Sequence, residues 1–416
     1  MNQAYVGNVY GDSTCGQASL HGVDQTCIPA MTKPARGTRP SNRRELILSA
    51  AEDLFCSNGF ANVAMGDIAD AVAIGPSALY RHFRNKQELL ATVVITGLDA
   101  TDKMLAESGP SLGELAGNIA TNMVEHRSIG VLWHRESRNL LPDSRAAIRD
   151  QVRDIGARLA TIVGAGRPEI RGAEADFLSW CVLGVGTSIS FHNLELPEPD
   201  FTRLLTSLVM AVLEAEMPTL VEKPVELAII ETLERPRRET LITRSVKLFA
   251  EQGYSNVGIE DIGAAVGIAG PSVYNHFDTK ADTLIAAMVR GDEWLRADMD
   301  RALSRATDNT DGLRRLLASY CEFAFEFPQL VQLLITETVQ LPAEEQRRMR
   351  AAQHEYIAEW VRLVRAAHPG YDATSARIRV QAVTTLMNDI ALTGHLRRFA
   401  NVNDAVVGIG ARLLSD

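Results

Sequence analysis

Between Leu79 and Phe83 the chain reads Leu-Tyr-Arg-His-Phe. On a helix Leu79 and Phe83 stack on one face, four residues apart, and take the core. Ser77, Ala78, Tyr80, Arg81 and His82 are left to face outward, and an exposed aromatic beside a cation and an imidazole calls for a partner. Small, aromatic and cationic groups on one helix suit insertion into a DNA major groove, with flanking groups on phosphates. Five cations (Lys33, Arg36, Arg39, Arg43 and Arg44) precede this helix with no acid among residues 33–44, and Arg84 and Lys86 follow it. The formal charge of the whole chain is −10. Basic charge is therefore focused where DNA would be met, and the acidic excess lies elsewhere.

The elements that must carry these residues occur twice. Arg43–Leu90 aligns without gaps to Arg237–Leu284 at an offset of 194, with 18 of 48 positions identical. Shared positions include Arg43 and Arg44 with Arg237 and Arg238, Leu54-Phe55, Gly59, Asn62-Val63, Asp67-Ile68, Tyr80, His82-Phe83, Lys86 and Leu90. Farther on, Leu141-Pro142 matches Leu341-Pro342, so the duplication covers a whole module. In the first copy, Leu46, Ile47, Ala50, Ala51, Leu54 and Phe55 form an apolar stripe that predicts a helix over 44–58, ended by Gly59. A short helix over 65–72 follows, and Gly75-Pro76 opens a third, because proline at a first helical turn forfeits no hydrogen bond. In the second copy the proline is Pro271, aligned with Ser77, which predicts recognition helices that begin one residue apart.

Composition limits the alternatives. A hydrophobic content of 46% with 23% charged residues belongs to a globular chain. No uninterrupted apolar run is long enough to span a bilayer and no signal peptide opens the chain, so the expected location is the cytoplasm, away from membranes. The five cysteines are scattered without a CxxC pair, which argues against a disulfide framework or a zinc ribbon. Cys15 and Cys27 read as tail thiols, with a redox switch as the minor alternative. No HExxH, phosphate-cradling glycine loop or close Ser/His/Asp set is present, so no catalytic residue, metal or cofactor is expected and the chain does not read as an enzyme. Apolar spacings of three and four throughout, with no alternating strand, predict an all-α fold.

The motifs Gly59-Phe60, Asp67-Ile68-Ala69, Leu79-Tyr80-Arg81-His82-Phe83 and Lys86-x-x-Leu89-Leu90, repeated as Gly253-Tyr254, Asp261-Ile262, Val273-Tyr274-Asn275-His276-Phe277 and Lys280, resemble the amino-terminal region of TetR/AcrR-family regulators. The resemblance implies two three-helix helix-turn-helix domains, each followed by a helical bundle that binds ligand and dimerises. It implies that Tyr80, His82 and Lys86 hold phosphates while Ser77, Ala78 and Arg81 lie nearest the bases. In the second copy Tyr274, His276 and Lys280 take the phosphate role, and Pro271, Ser272 and Asn275 lie nearest the bases. Arginine favours guanine and asparagine favours adenine, so unlike half-sites are expected. Two departures stand out: the usual Ser or Thr before the second helix is Ala64 or Gly258, leaving phosphate there to backbone amides, and Asp278 replaces Arg84.

The resulting division is a tail (1–38), a first DNA-binding domain (39–90), a first regulatory domain (91–217), a linker (218–234) in which 225–233 could form a short helix, a second DNA-binding domain (235–284) and a second regulatory domain (285–416). Polar residues within apolar stretches are candidates to orient a small-molecule effector: His126, Trp133, His134 and His192 in the first half, and Glu326, Glu337, Asn388 and His395 in the second. For each, ordinary packing or exposure is the alternative. Apolar pockets with sparse polar groups suit a lipidic or aromatic effector, acyl thioesters and sterol fragments included. Family resemblance makes the last two helices of each half the dimerising pair, so both partners would sit on one chain as a pseudo-dimer on an operator DNA duplex. A homodimer of chains stays open beside it. The expected role is a ligand-released repressor; the rival is a co-regulator or protein-interaction module whose second helix-turn-helix no longer binds DNA.

Overall fold

The structure, a computed structural model, describes residues 42–224 and 236–415. The tail thiols, Lys33, Arg36, Arg39 and the short helix expected over 225–233 lie outside the described residues. Within them the secondary structure is helical, with a single isolated bridge between Glu222 and Phe399.

The first half opens with α1 (Arg43–Asn58), α2 (Met65–Ala71) and α3 (Pro76–Leu79). Ile47, Ala51 and Phe55 are the buried positions of α1, and Gly59 ends it at φ 78°, a left-handed conformation that favours glycine. Long α4 (Lys86–Glu107) leads into α5 (Leu112–Glu125) and α6 (Ile129–Val131). The chain then makes a π-helical turn over Leu132–Glu136 and a 3-10 turn over Ser137–Asn139. Three long helices finish the half: α7 (Pro142–Gly166), α8 (Gly172–Ser188) and α9 (Asp200–Leu213).

The second half repeats the order with α10 (Arg237–Gln252), α11 (Ile259–Ala264) and a 3-10 helix over Gly270–Asn275. It continues as α12 (Lys280–Leu303), α13 (Asn309–Glu326), α14 (Pro328–Thr336), α15 (Ala343–Ala367), α16 (Ala373–Leu392) and α17 (Val402–Ser415). The recognition segments do not begin one residue apart as the shifted proline suggests. Gly270 occupies the position equivalent to Pro76, and Pro271 is simply second in its helix. A Cβ at Gly270 would lie 3.1 Å from the Glu260 Cα, so close packing on α11 sets that start and the proline does not.

The halves meet along α8 and α16, with α9 beside α17. A Cβ on Gly184 of α8 would stand 3.0 Å from the Leu386 Cα of α16, so these helices approach almost to backbone contact. After α9 the chain is sewn to the second half: the Lys223 N–H donates to the Arg398 carbonyl (2.7 Å), the Ala400 N–H to the Val221 carbonyl (2.6 Å), and the Asn401 amide reaches both Thr219 and Val221. Buried apolar side chains form two clusters. One runs from the first helix-turn-helix through both bundles; the other is the core of the second helix-turn-helix with Leu333, Leu341 and Met349.

Candidate nucleic-acid interface

Each outward surface rests on a small core. Leu79 and Phe83 in the first copy, and Val273 and Phe277 in the second, are buried, which turns the residues between them to solvent. Tyr80 is 53% exposed and Tyr274 50%, unusual values for tyrosine. Ser77, Arg81 and His82 are exposed with Ala78 partly covered; Pro271, Asn275 and His276 are exposed with Ser272 partly covered. The recognition segments thus offer the surfaces expected of them, as an α-turn in the first copy and a 3-10 turn in the second.

The basic residues beside them are less free. The Arg44 guanidinium lies 5.2 Å from the centre of the Phe83 ring, and Arg238 lies 4.8 Å from that of Phe277, so each flanking arginine stacks on the core aromatic of its recognition segment. Arg237 donates to the Val266 carbonyl (3.1 Å) at the end of α11. The lysines depart furthest from expectation. Lys86 Nζ donates to the carbonyls of Phe60 (2.6 Å) and Val63 (2.7 Å) and sits 4.1 Å from the Phe60 ring centre. Lys280 does the same with Tyr254 (2.9 Å), Val257 (3.1 Å) and the Tyr254 ring (4.0 Å). An ammonium with two donors spent on loop carbonyls and an aromatic face beneath it clasps the turn between the first two helices. This places Lys86 and Lys280 in a structural role where the sequence reading put a phosphate contact. Burial pushes both below the ordinary lysine range, opposed by Glu136 and Asp67 near Lys86 and by Glu337 near Lys280.

The missing Ser or Thr before the second helix is also compensated in a way sequence reasoning missed. Asp67 Oδ2 accepts from the Ala64 N–H (2.7 Å), and Asp261 Oδ2 accepts from the Gly258 N–H (2.8 Å). One amide at each helix start, that of Ala64 or Gly258, is therefore satisfied by the carboxylate three residues on, the second half of a capping box. Both aspartates are identical in the repeat, and that was the available signal.

The eight effector candidates do not converge on one pocket. His126 ends α5, and Trp133 lies half-buried in the π turn. His134 Nε2 stands 3.5 Å from Asp389 of α16, across the seam between halves, where Thr187 of α8 also donates to Asp389 (3.0 Å). His395 lies exposed at the same seam, 3.0 Å from Asp176 and edge-on to Trp180. Glu326 is exposed at the last turn of α13, because the helix ends there and its side chain clears the core. Asn388 is buried and accepts from the Tyr320 hydroxyl (2.9 Å). Glu337 is buried in an ion pair with Arg138 of the first half. His192 accepts at Nδ1 from the Leu194 N–H (3.1 Å), and burial together with the Arg127 and Arg377 charges lowers its pKa to about 3. A cavity of about 300 Å³ between α12, α13 and α15 is lined by residues such as Leu303, Asn309, Gly312 and Arg362, and by none of the eight.

Comparison with known proteins finds relatives of both DNA-binding segments. A sequence model described as "Bacterial regulatory proteins, tetR family" matches residues 47–93 and again residues 241–287. The helix-turn-helix segment of that family is thus present twice in this chain. Curated relatives include the HTH-type transcriptional activator FasR of Mycolicibacterium smegmatis, 29% identical over 87 residues (21% of this chain, 40% of FasR). The HTH-type transcriptional repressor KstR2 of the same organism is 27% identical over 116 residues (26% of this chain, 57% of KstR2). The chain thus spans about half the length of these curated relatives, or less. Among solved structures, a TetR-family transcriptional regulator from Bordetella parapertussis aligns with a TM-score of 0.41 at 21% identity, covering 43% of this chain and 94% of that one. The ketosteroid transcriptional regulator KstR2 of Mycobacterium tuberculosis aligns with a TM-score of 0.40 at 17% identity, covering 44% and 95%.

Proposed function

We propose that this chain is a DNA-binding transcriptional regulator of the tetR family that reads one operator with two unlike recognition segments held together as an intramolecular pseudo-dimer. The observation that carries this reading is the pair of outward surfaces, Tyr80-Arg81-His82 and Tyr274-Asn275-His276, each built on the same buried scaffold within one chain. Tyr80, His82, Tyr274 and His276 serve the phosphates, with Arg43, Arg44, Arg237 and Arg238 beside them. Ser77, Ala78 and Arg81 read bases on one side, and Pro271, Ser272 and Asn275 on the other. The close approach of α8 to α16 and the hydrogen-bonded segment after α9 support pairing within the chain over pairing between chains. We further propose repression released by an effector of lipidic or aromatic kind held among the bundle helices. Effector binding would shift α4 or α12, each of which begins at the clasp lysine of its DNA-binding domain, and operator would weaken effector binding by the same factor.

The test is binding to the DNA upstream of the chain's own gene across a salt series. Affinity should fall steeply with salt, and Arg81→Ala should relax base preference in one half of the footprint while Asn275→Ala relaxes it in the other, each contact being worth about 1 to 3 kcal/mol. Absence of binding to any such fragment at low salt would overturn the regulator reading.

A second reading is favoured by one feature of the second copy. Glu260, Asp261 and Asp278 are exposed around its recognition segment, and its Arg237 is engaged with a carbonyl. On that reading the second helix-turn-helix repels phosphate and serves as a co-regulator surface. A footprint confined to one half-site, unchanged by Asn275→Ala, would favour it.

A further inference from the structure

The two helix-turn-helix domains are tied to the body differently. Below the turn after α1 lies Glu136, whose Oε1 is 3.7 Å from where a Gly59 Cβ would stand. Its cation is Arg135 of the same half (2.5 Å), which also donates to the Phe55 (2.7 Å) and Cys56 (2.7 Å) carbonyls that end α1. Below the equivalent turn after α10 lies Glu337, fully buried. Residues 328–346 contain no Lys or Arg, and the second half's Lys280, though near enough to feel Glu337, spends its ammonium on the Tyr254 and Val257 carbonyls. Arg138 of the first half fills the place: it pairs with Glu337, lies 3.4 Å from Thr336 Oγ1, and its side chain is 9% exposed against 1% for the glutamate. The same side chain roofs the turn itself, since a Cβ on Gly253 would come within 2.9 Å of both its Cδ and Nε. Gly253 has φ 84° and Tyr254 follows it, so Arg138 bears on the loop that Lys280 clasps.

The apolar cores show the same asymmetry. The buried core of the first helix-turn-helix is continuous with both bundles, whereas that of the second is a cluster of its own with α12, Leu333, Leu341 and Met349, joined to the larger one through the half-buried Val246 of α10. With few apolar links to the larger core, the second DNA-binding domain is tied to the first half through a polar contact as well. Such a contact is directional, and a buried guanidinium and carboxylate tolerate little displacement before each is left uncompensated.

We infer that Arg138 is a positioning residue that sets the second helix-turn-helix through Glu337 and the Gly253 turn, so that the second recognition segment answers to the first half of the chain. The consequence for the regulator is an order of command. The segment from Arg127 to Arg138 also holds the loop after α8 through Arg127, contacts α1 through Ser128 and Arg135, and meets α16 through His134. It includes a π turn, an arrangement that often marks a functional segment. A displacement in the first bundle would reach both recognition segments through this stretch, whereas the second bundle has no matching reach into the first helix-turn-helix among the described contacts.

This inference rests on the regulator reading only for its consequence at DNA; the positioning itself is tested without DNA. Amide hydrogen exchange is measured on the full-length chain, wild type against Arg138→Met, comparing peptides spanning residues 253–257 with those spanning 59–63. Exchange at 253–257 should rise by about tenfold or more while 59–63 is unchanged. The exchanged pair, Arg138→Glu with Glu337→Arg, should restore protection, a result that lost packing volume alone would not give. Unchanged exchange at 253–257 in Arg138→Met, or an equal rise at both turns, would overturn the inference. A selective rise in a chain that binds no DNA would leave the positioning standing and overturn the proposed function instead. With operator bound, Arg138→Met should widen the tolerance for base pairs inserted between half-sites, and an unaltered spacing preference would overturn the link to recognition.

Discussion

Lys86 and Lys280 show how far residue type and spacing can be read. Both lysines stand out by their place after the recognition segment, yet type and spacing give no direction for a four-carbon side chain. The ammonium is captured by the carbonyls of the preceding turn, that of Phe60 accepting it beside the Val63 N–H (3.3 Å) and that of Val63 lying just past the end of the turn. Replacing Lys86 with Met keeps apolar cover on Phe60 and removes two hydrogen bonds from the turn, so stability should fall by about 1 to 3 kcal/mol in urea unfolding. The competing phosphate role predicts the opposite pattern: unchanged stability and a log-log salt slope of DNA binding reduced by about 1. His192 makes a separate prediction. Its folded pKa of about 3 lies far below the ordinary 6.5, through burial first and the neighbouring Arg127 and Arg377 charges second. Above pH 6.5 neither state is protonated and stability is full. As pH falls below 6.5 the unfolded chain takes up a proton that the folded ring refuses, so stability declines toward pH 3, by up to about 1.4 kcal/mol per pH unit. A melting-temperature series from pH 7 to pH 4 should be flatter for His192→Asn, which keeps an acceptor for the Leu194 N–H. An identical acid dependence in the variant would count against this assignment.

At the scale of elements, the helices were legible because a period of 3.6 and Gly/Pro punctuation are local properties. The helix expected over 44–58 is Arg43–Asn58, and that expected over 65–72 is Met65–Ala71. The π turn at Leu132–Glu136 had no such signature, since an extra residue in a turn follows from the packing on either side of it. The recognition start at Gly270 went wrong for a related reason: proline biases a start, but close approach to Glu260 chose one residue earlier. Glu326 and Glu337 look alike as acids within apolar stretches; one lies on an exposed final turn and the other is buried beside a contact that spans 198 residues of sequence. The α8–α16 crossing is open to direct test. With the Leu386 Cα only 3.0 Å from a Gly184 Cβ, Gly184→Leu must force the helices apart, and overpacking of this kind costs about 1 to 3 kcal/mol. Thermal unfolding should register that loss. Gly164→Leu on α7, where the nearest atom to a Cβ lies at 3.9 Å, should cost less.

For the whole molecule, the question is which surfaces the duplication has used up. In a chain with one module, a paired bundle would have to form between molecules and its stability would follow concentration. Here α8 and α16 face each other inside one chain, reinforced by Thr187 to Asp389, His395 to Asp176, Arg412 to the Glu214 carbonyl (3.1 Å) and the stitched segment of residues 219–223. Covalent linkage fixes the effective concentration of one half for the other, independent of how much protein is present. The melting temperature should therefore stay constant over a hundredfold dilution, because a folded state held together by association gains stability with concentration. Sedimentation should give the mass of one chain, free and at the first stoichiometric point of operator binding. A melting temperature that climbs with concentration, or two chains per operator at that point, would mean that the dimerising surface lies elsewhere and that α8 and α16 serve as an ordinary interdomain contact.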